Sequence, residues 1–195
     1  MVAENLKKSE VNMLPGYQSF WLFFCALFAS LMAGCTSVQL SDYANQKPQF
    51  NMQEYFNGPV VAYGIVQDRS GKVIRRMTVD MQCSWQGDTG TFDEHFTYAD
   101  GKKERRVWTI KKHNDRYTGT AADVVGEASG AAAGNALNWK YVLALPVGDK
   151  IYKVNFDDWM WQLDEKILIN RAVFSKFGFR LGEVFITFYK NDPEI

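Results

Sequence analysis

The chain has 195 residues, of which 47% are hydrophobic and 15% aromatic, enough apolar material for one sizeable core. Its 22 basic side chains are balanced by 22 acidic ones, which leaves no electrostatic footprint for nucleic acid. The pairs Arg75-Arg76, Lys102-Lys103, Arg105-Arg106 and Lys111-Lys112 are spread along the chain and interleaved with acids, as on solvated strand faces.

At the N-terminus, Lys7 and Lys8 precede Pro15-Gly16. An apolar run then opens at Phe20 and closes on Leu31-Met32-Ala33-Gly34-Cys35. Charged region, apolar region and small-residue site follow one another as in a secretory signal. The run falls short of the ~20 residues that a helix needs to cross a bilayer, which weighs against the alternative of an uncleaved anchor helix. The closing residues resemble the lipobox of bacterial lipoproteins, with Met32 where Leu is commoner. That resemblance implies cleavage after Gly34 and acylation of Cys35. Thr36, in place of an Asp, implies the outer membrane, periplasmic face, as the destination. Removing residues 1–34 takes away Glu4, Glu10, Lys7 and Lys8, so 22 of each sign become 20 of each and the remainder stays neutral.

Cys25 leaves with the signal and Cys35 carries lipid, so Cys83 alone remains and no intramolecular disulfide can form. Residues 35–51 are polar, without periodicity, and read as an acylated tether. From residue 52 to 195 we expect a single domain.

Within it, strand signals and tight turns alternate. The candidate strands are 60–67, 73–85, 91–98, 104–112, 117–125, 137–145, 151–161, 166–171 and 183–190, an antiparallel meander of about nine strands. Between them lie turn residues such as Asp68-Arg69-Ser70-Gly71, Ala99-Asp100-Gly101 and Val147-Gly148-Asp149. Met77, Val79, Met81, Cys83 and Trp85 share one strand face, so Cys83 reads as a small buried hydrophobe and not a nucleophile. Leu137, Trp139, Tyr141, Leu143 and Leu145 alternate with Asn138 and Lys140 in the same way. Ala172 to Phe177 reads as one or two helical turns. In Gly126 to Ala136, glycines recur every fourth residue. Extended, this run puts Gly and Ala on one face as a wall open to close approach, and a flexible loop is an equal alternative.

A meander this long removes its edges by closing. The expectation is an all-β antiparallel up-and-down barrel of lipocalin or calycin type, with a two-sheet sandwich as runner-up. A second resemblance covers about residues 50 to 190. Tyr55-Phe56-Asn57-Gly58-Pro59, Asp68 through Val73, Tyr117-Thr118-Gly119-Thr120-Ala121, Asp123 through Ala128, Phe156-Asp157-Asp158-Trp159-Met160, and Asn170-Arg171 through Gly178 are similar to the runs of a bacterial lipoprotein family, domain of unknown function 3833. It implies no catalytic residues.

Glu94 lies between Phe92 and Phe96 on the apolar parity of its strand, with Asp93, His95 and Thr97 opposite. A carboxylate there needs a partner or a raised pKa, and Arg106, in phase with Trp108 and Ile110, is the candidate partner. The pair reads as a structural ion pair or, alternatively, as an anchor for a ligand headgroup. Asp157 and Asp158 are adjacent and so face opposite ways. One is expected in solvent and the other hydrogen-bonded at a strand or barrel end. His95 and His113 are the only histidines, with no second ligand at metal spacing, so no metal and no cofactor is expected. Neither a G-x-S-x-G elbow nor a phosphate-binding glycine loop occurs.

Three functional classes follow. The first is a membrane-tethered barrel that binds a hydrophobic ligand, a fatty acyl chain or lipid, through Glu94, Arg106, Trp108, Trp139, Trp159 and Trp161. The second is a non-catalytic structural or assembly lipoprotein with a filled barrel and a protein partner. The third is a lipid-modifying hydrolase or isomerase, for which no catalytic constellation stands out.

Overall fold

The computed structural model describes residues 37–190. The segment expected as a signal sequence, with Gly34 and Cys35, lies outside them. Ten strands follow in order: β1 (Gly58–Asp68), β2 (Val73–Gln86), β3 (Thr89–Tyr98), β4 (Lys103–His113), β5 (Arg116–Thr120), β6 (Ala128–Ala133), β7 (Ala136–Val147), β8 (Lys150–Gln162), β9 (Ile167–Lys176) and β10 (Phe179–Lys190). Each pairs antiparallel with its neighbours in sequence, and β10 pairs with β1, so the sheet is a closed up-and-down barrel. Alternation decides which side chains fill it. Along β2, Met77, Val79, Met81 and Cys83 are buried while Asp80, Gln82 and Ser84 are exposed.

The tenth strand is β6, the Gly/Ala run. It has no bulky residue to announce it, and its neighbours hold it extended. A Cβ on Gly130 would strike the Asn138 carbonyl oxygen and come within 2.7 Å of the Trp139 ring. The wall reading holds from Ala128 to Ala133, whereas Gly126 and Gly134, with φ of +74° and +54°, lie outside the strand. Two boundaries move. The strand expected to continue to Val125 ends at Thr120, and residues 121–127 form a loop whose Val125 N–H donates to the Val142 carbonyl at 2.8 Å. Ala172 to Phe177 is not helical. Ala172 through Lys176 continue β9, with Ala172 paired to Val184 and Phe174 to Gly182. Ala172 is buried and Phe174 lines the interior, so a period of two wins over the helical one.

The turns after odd-numbered strands gather at one end of the barrel. The other end carries the remaining turns and is plugged by a short helix, α1 (Met52–Tyr55), whose N-cap Asn51 accepts from the Gln53 N–H. The Tyr55 hydroxyl donates to the carbonyls of Lys166 (2.9 Å) and Phe188 (3.1 Å), and the Trp85 indole donates to the Phe56 carbonyl at 2.8 Å. Phe56 packs on Phe92 and Phe188 with ring centroids 5.1 and 5.5 Å away. Part of the segment expected as a tether lies on the barrel wall. Leu40–Tyr43 is a 3-10 turn, and the Phe50 N–H donates to the Gly134 carbonyl at 2.7 Å.

Candidate functional site

The barrel is not filled by its own side chains. It encloses a cavity of about 480 Å³, within the ~300–1,000 Å³ usual for small-molecule sites. Met52, Phe56 and Phe92 close its floor. At the opposite end Ile74 and Leu145 both line it and reach solvent, so that end is the mouth.

An aromatic arc forms one wall. Tyr141, Phe156 and Phe174 are successive register partners across β7, β8 and β9. Their rings stack, with centroids 4.9 and 5.6 Å apart. Trp108 meets Trp139 and Tyr141 edge-on at 5.9 and 5.6 Å. Gly119 and Gly130 give Trp139 its room: a Cβ on Gly119 would approach its ring to 3.0 Å.

Of the expected ligand residues, four line the cavity: Glu94, Arg106, Trp108 and Trp139. Trp159 and Trp161 do not, which corrects the expected convergence. Their parity on β8 is opposite to that of Phe156, Asp158 and Met160, which line the cavity. They stack on each other at 6.0 Å, and Tyr43 lies against them at 5.9 and 6.2 Å. Trp85 belongs to the plugged end.

Glu94 and Arg106 are direct cross-strand partners, yet their closest approach is 3.7 Å. The guanidinium is held elsewhere: its Nε and Nη2 donate to the Asp123 carboxylate at 3.0 and 2.8 Å. The Glu94 Oε2 is buried without a hydrogen-bond partner. Burial therefore pushes the Glu94 carboxyl up to about 7, against the pull of Arg106. Burial alone would lower the Arg106 pKa, but Glu94 and Asp123 more than offset it and the net direction is up.

Asp158 is the second interior carboxyl. Asn170 donates to its Oδ1, and burial again dominates, raising it to about 7. It also feels Glu94 and Arg106, so these groups act as one cluster. Burial and the charge on Asp158 raise the Tyr141 hydroxyl as well. Asp157 points outward and accepts from Asn138 Nδ2 at 2.7 Å. One acid out and one hydrogen-bonded matches the expectation, though Asp158 sits along the cavity wall and not at a barrel end. Its phase with Val154, Phe156 and Met160 was the signal available. Asn170 shares parity with buried Leu168 and Ala172, whereas Asp123 comes from a loop that no periodicity announces.

The outer face of the same strands differs. Asp93 takes two hydrogen bonds from Arg105 and lies 3.2 Å from His95. Cys83 is buried, and burial pushes its thiol up to about 12, as fits an inert core residue. Among the described residues no group of three His, Cys, Asp or Glu could hold a metal ion.

The site thus joins apolar walls to a polar cluster in which Glu94 and Asp158 line the cavity with Arg106, Arg75 and Asn170, Arg106 being held from behind by Asp123. Such a surface offers apolar contact along its walls and a hydrogen-bond acceptor at Glu94. Comparison with known proteins adds a family and no chemistry. No curated protein matches the chain. A family model described as protein of unknown function (DUF3833) matches residues 29–190, all ten strands included, and the chain belongs to that family.

Proposed function

We propose that this protein is a binding module: a lipoprotein acylated at Cys35, held on the periplasmic face of the outer membrane, whose barrel holds a hydrophobic ligand such as a fatty acyl chain or lipid. The observation that carries the reading is the open cavity, apolar on most of its wall, with a buried acceptor left unpartnered at Glu94. A filled barrel, as a purely structural role would have it, is disfavoured by the same cavity. The partnerless Glu94 oxygen further favours a ligand whose polar end donates, such as a hydroxyl, an amine or a protonated acid.

Native mass spectrometry with lipid extraction of the full chain from its own host tests this. A lipid should co-purify, be lost in Trp139→Ala and persist in Trp159→Ala, whose ring is outside. Should Trp139→Ala unfold, Phe174→Ala probes the same wall. An empty wild-type protein under gentle purification would overturn the proposal, as would equal loss from both tryptophan variants with folding intact.

One observation favours a second reading, a lipid-modifying hydrolase or isomerase: two interior carboxyls titrate near neutrality, where general acids and bases work best. Conversion of the extracted lipid by wild type and not by Glu94→Gln, with binding retained in both, would establish it.

A further inference from the structure

Exposed apolar side chains concentrate on one half of the barrel mouth. The β9–β10 hairpin presents Phe177, 85% exposed, and Phe179, 76% exposed. The β7–β8 hairpin presents Val147 and Ile151, the latter 73% exposed, and the β1–β2 hairpin presents Ile74. These hairpins are consecutive around the ring, since Asp68 of β1 pairs with Gly182 of β10 and Ser175 of β9 with Asn155 of β8. The rest of the mouth, the β3–β4 turn and residues 121–127, carries none of the exposed large apolar side chains.

Two features mark this rim as built for contact. Phe177 and Gly178 have φ of +53° and +81°, a turn geometry that favours Asn-Gly. An aromatic at the first position is strained, and with its ring in solvent it gains nothing inside the fold. The flanking charge is also predominantly positive. Lys72, Lys150, Lys153 and Arg180 are exposed beside these tips. The Lys176 ammonium rests 4.9 Å from the Tyr152 ring and 5.0 Å from Phe177. Of the nearby acids, Asp68 is occupied by its own turn and Glu183 by Arg171 and Arg180, while Asp149 is exposed at the β7–β8 tip beside Lys150.

We propose that this half of the mouth seats on an anionic lipid bilayer, with Phe177, Phe179 and Ile151 in the interfacial layer and the surrounding lysines and Arg180 on headgroup phosphates. Apolar tips ringed by cations suit that interface. A closed barrel offers no free strand edge here for β-addition by a protein partner. Because Ile74 and Leu145 line both rim and cavity, seating would let an apolar ligand pass between bilayer and barrel without crossing water.

The compact unit from Gln39 to Ile195 contains every strand and the plug, so this fragment, free of any N-terminal anchor, can be used. It should co-sediment with phosphatidylcholine vesicles containing about 30% phosphatidylglycerol, and about tenfold less with phosphatidylcholine alone. Phe177→Ser with Phe179→Ser should weaken binding about tenfold, and Lys150→Glu with Arg180→Glu should remove the preference for anionic lipid. All these positions are exposed, and unchanged near-ultraviolet circular dichroism confirms folding. No sedimentation with either vesicle, or undiminished binding by the phenylalanine variant, overturns the proposal, as does a protein partner on this rim with vesicles inert. Any of these leaves the lipid content of the purified chain, and so the binding reading, unaffected.

Discussion

Asp93 and Glu94 are neighbours on β3, and each meets an arginine of β4, Arg105 diagonal to Asp93 and Arg106 directly opposite Glu94, yet they behave in opposite ways. Outside the barrel, Arg105 grips Asp93 through two bonds of 2.7 and 2.8 Å. Those hydrogen bonds hold the Asp93 carboxyl below its ordinary range. Inside, Arg106 stands 3.7 Å from Glu94 with its fork given to Asp123, and burial lifts Glu94 to about 7. An acid and an arginine on the same two strands thus make a satisfied surface pair and an interior acceptor whose Oε2 has no hydrogen-bond partner. The difference lies in solvent and in the competing carboxylate of Asp123.

The largest effect expected from breaking the interior arrangement is that of Arg106→Met. It strands Glu94 against an apolar wall, while Asp123 keeps access to solvent, and removing one partner of a buried pair costs about 3–5 kcal/mol. Urea denaturation at pH 8 measures it. The loss should shrink at pH 5, where Glu94 carries its proton. A loss that is equal at both pH values would mean that Glu94 plays no part.

Next in size is the pH dependence of stability. A carboxyl whose pKa is raised on folding binds its proton more tightly in the native state. Its penalty is therefore absent below the unfolded value, grows as pH rises from about 4.5 to about 7 for Glu94, and stays constant above. The window for Asp158 opens near 3.8 and closes at about 7. A shift of the Glu94 size corresponds to roughly 3 kcal/mol. Glu94→Gln should flatten its share of the slope and be more stable than wild type at pH 8. Asp158→Asn should act likewise while keeping the bond from Asn170, since an amide oxygen still accepts. Denaturant midpoints at pH 5 and pH 8 check both, and parallel pH profiles for wild type and variants would sink the interior assignment.

Strand parity made much of this legible. Glu94 between Phe92 and Phe96, and Arg106 in phase with Trp108, follow from a period of two, as do the barrel's alternating faces. What parity could not supply was which elements extend and which curl. The run from Ala128 to Ala133 forms a strand because Trp139 and the Asn138 carbonyl leave no room for anything larger, a tertiary constraint absent from its own residues. Ala172 to Phe177 looks helical locally and is overruled by pairing with β10. Composition alone groups Trp159 and Trp161 with the cavity tryptophans, but their phase on β8 puts them on the face of Asp157. Asp123 reaches Arg106 from a loop, and only the folded chain brings them together.

The smallest expected effect belongs to the outer pair, and it has the reverse sign with pH. Asp93 is held below its ordinary pKa, so its contribution is present above the unfolded value near 3.8 and disappears as pH falls through the lower, folded one. Solvent screens the pair, and Arg105 is well exposed, so Asp93→Asn and Arg105→Met should each shift stability at pH 7 by a small fraction of the Arg106→Met effect. A double-mutant cycle on Asp93 and Arg105 isolates the coupling. It should weaken with added salt and vanish as pH falls through the lowered pKa of folded Asp93, whereas the coupling between Glu94 and Arg106 should strengthen as pH rises through 7 and resist salt. An outer coupling larger than the inner one at pH 8 would invert the comparison and return Glu94 to the ranks of ordinary surface acids.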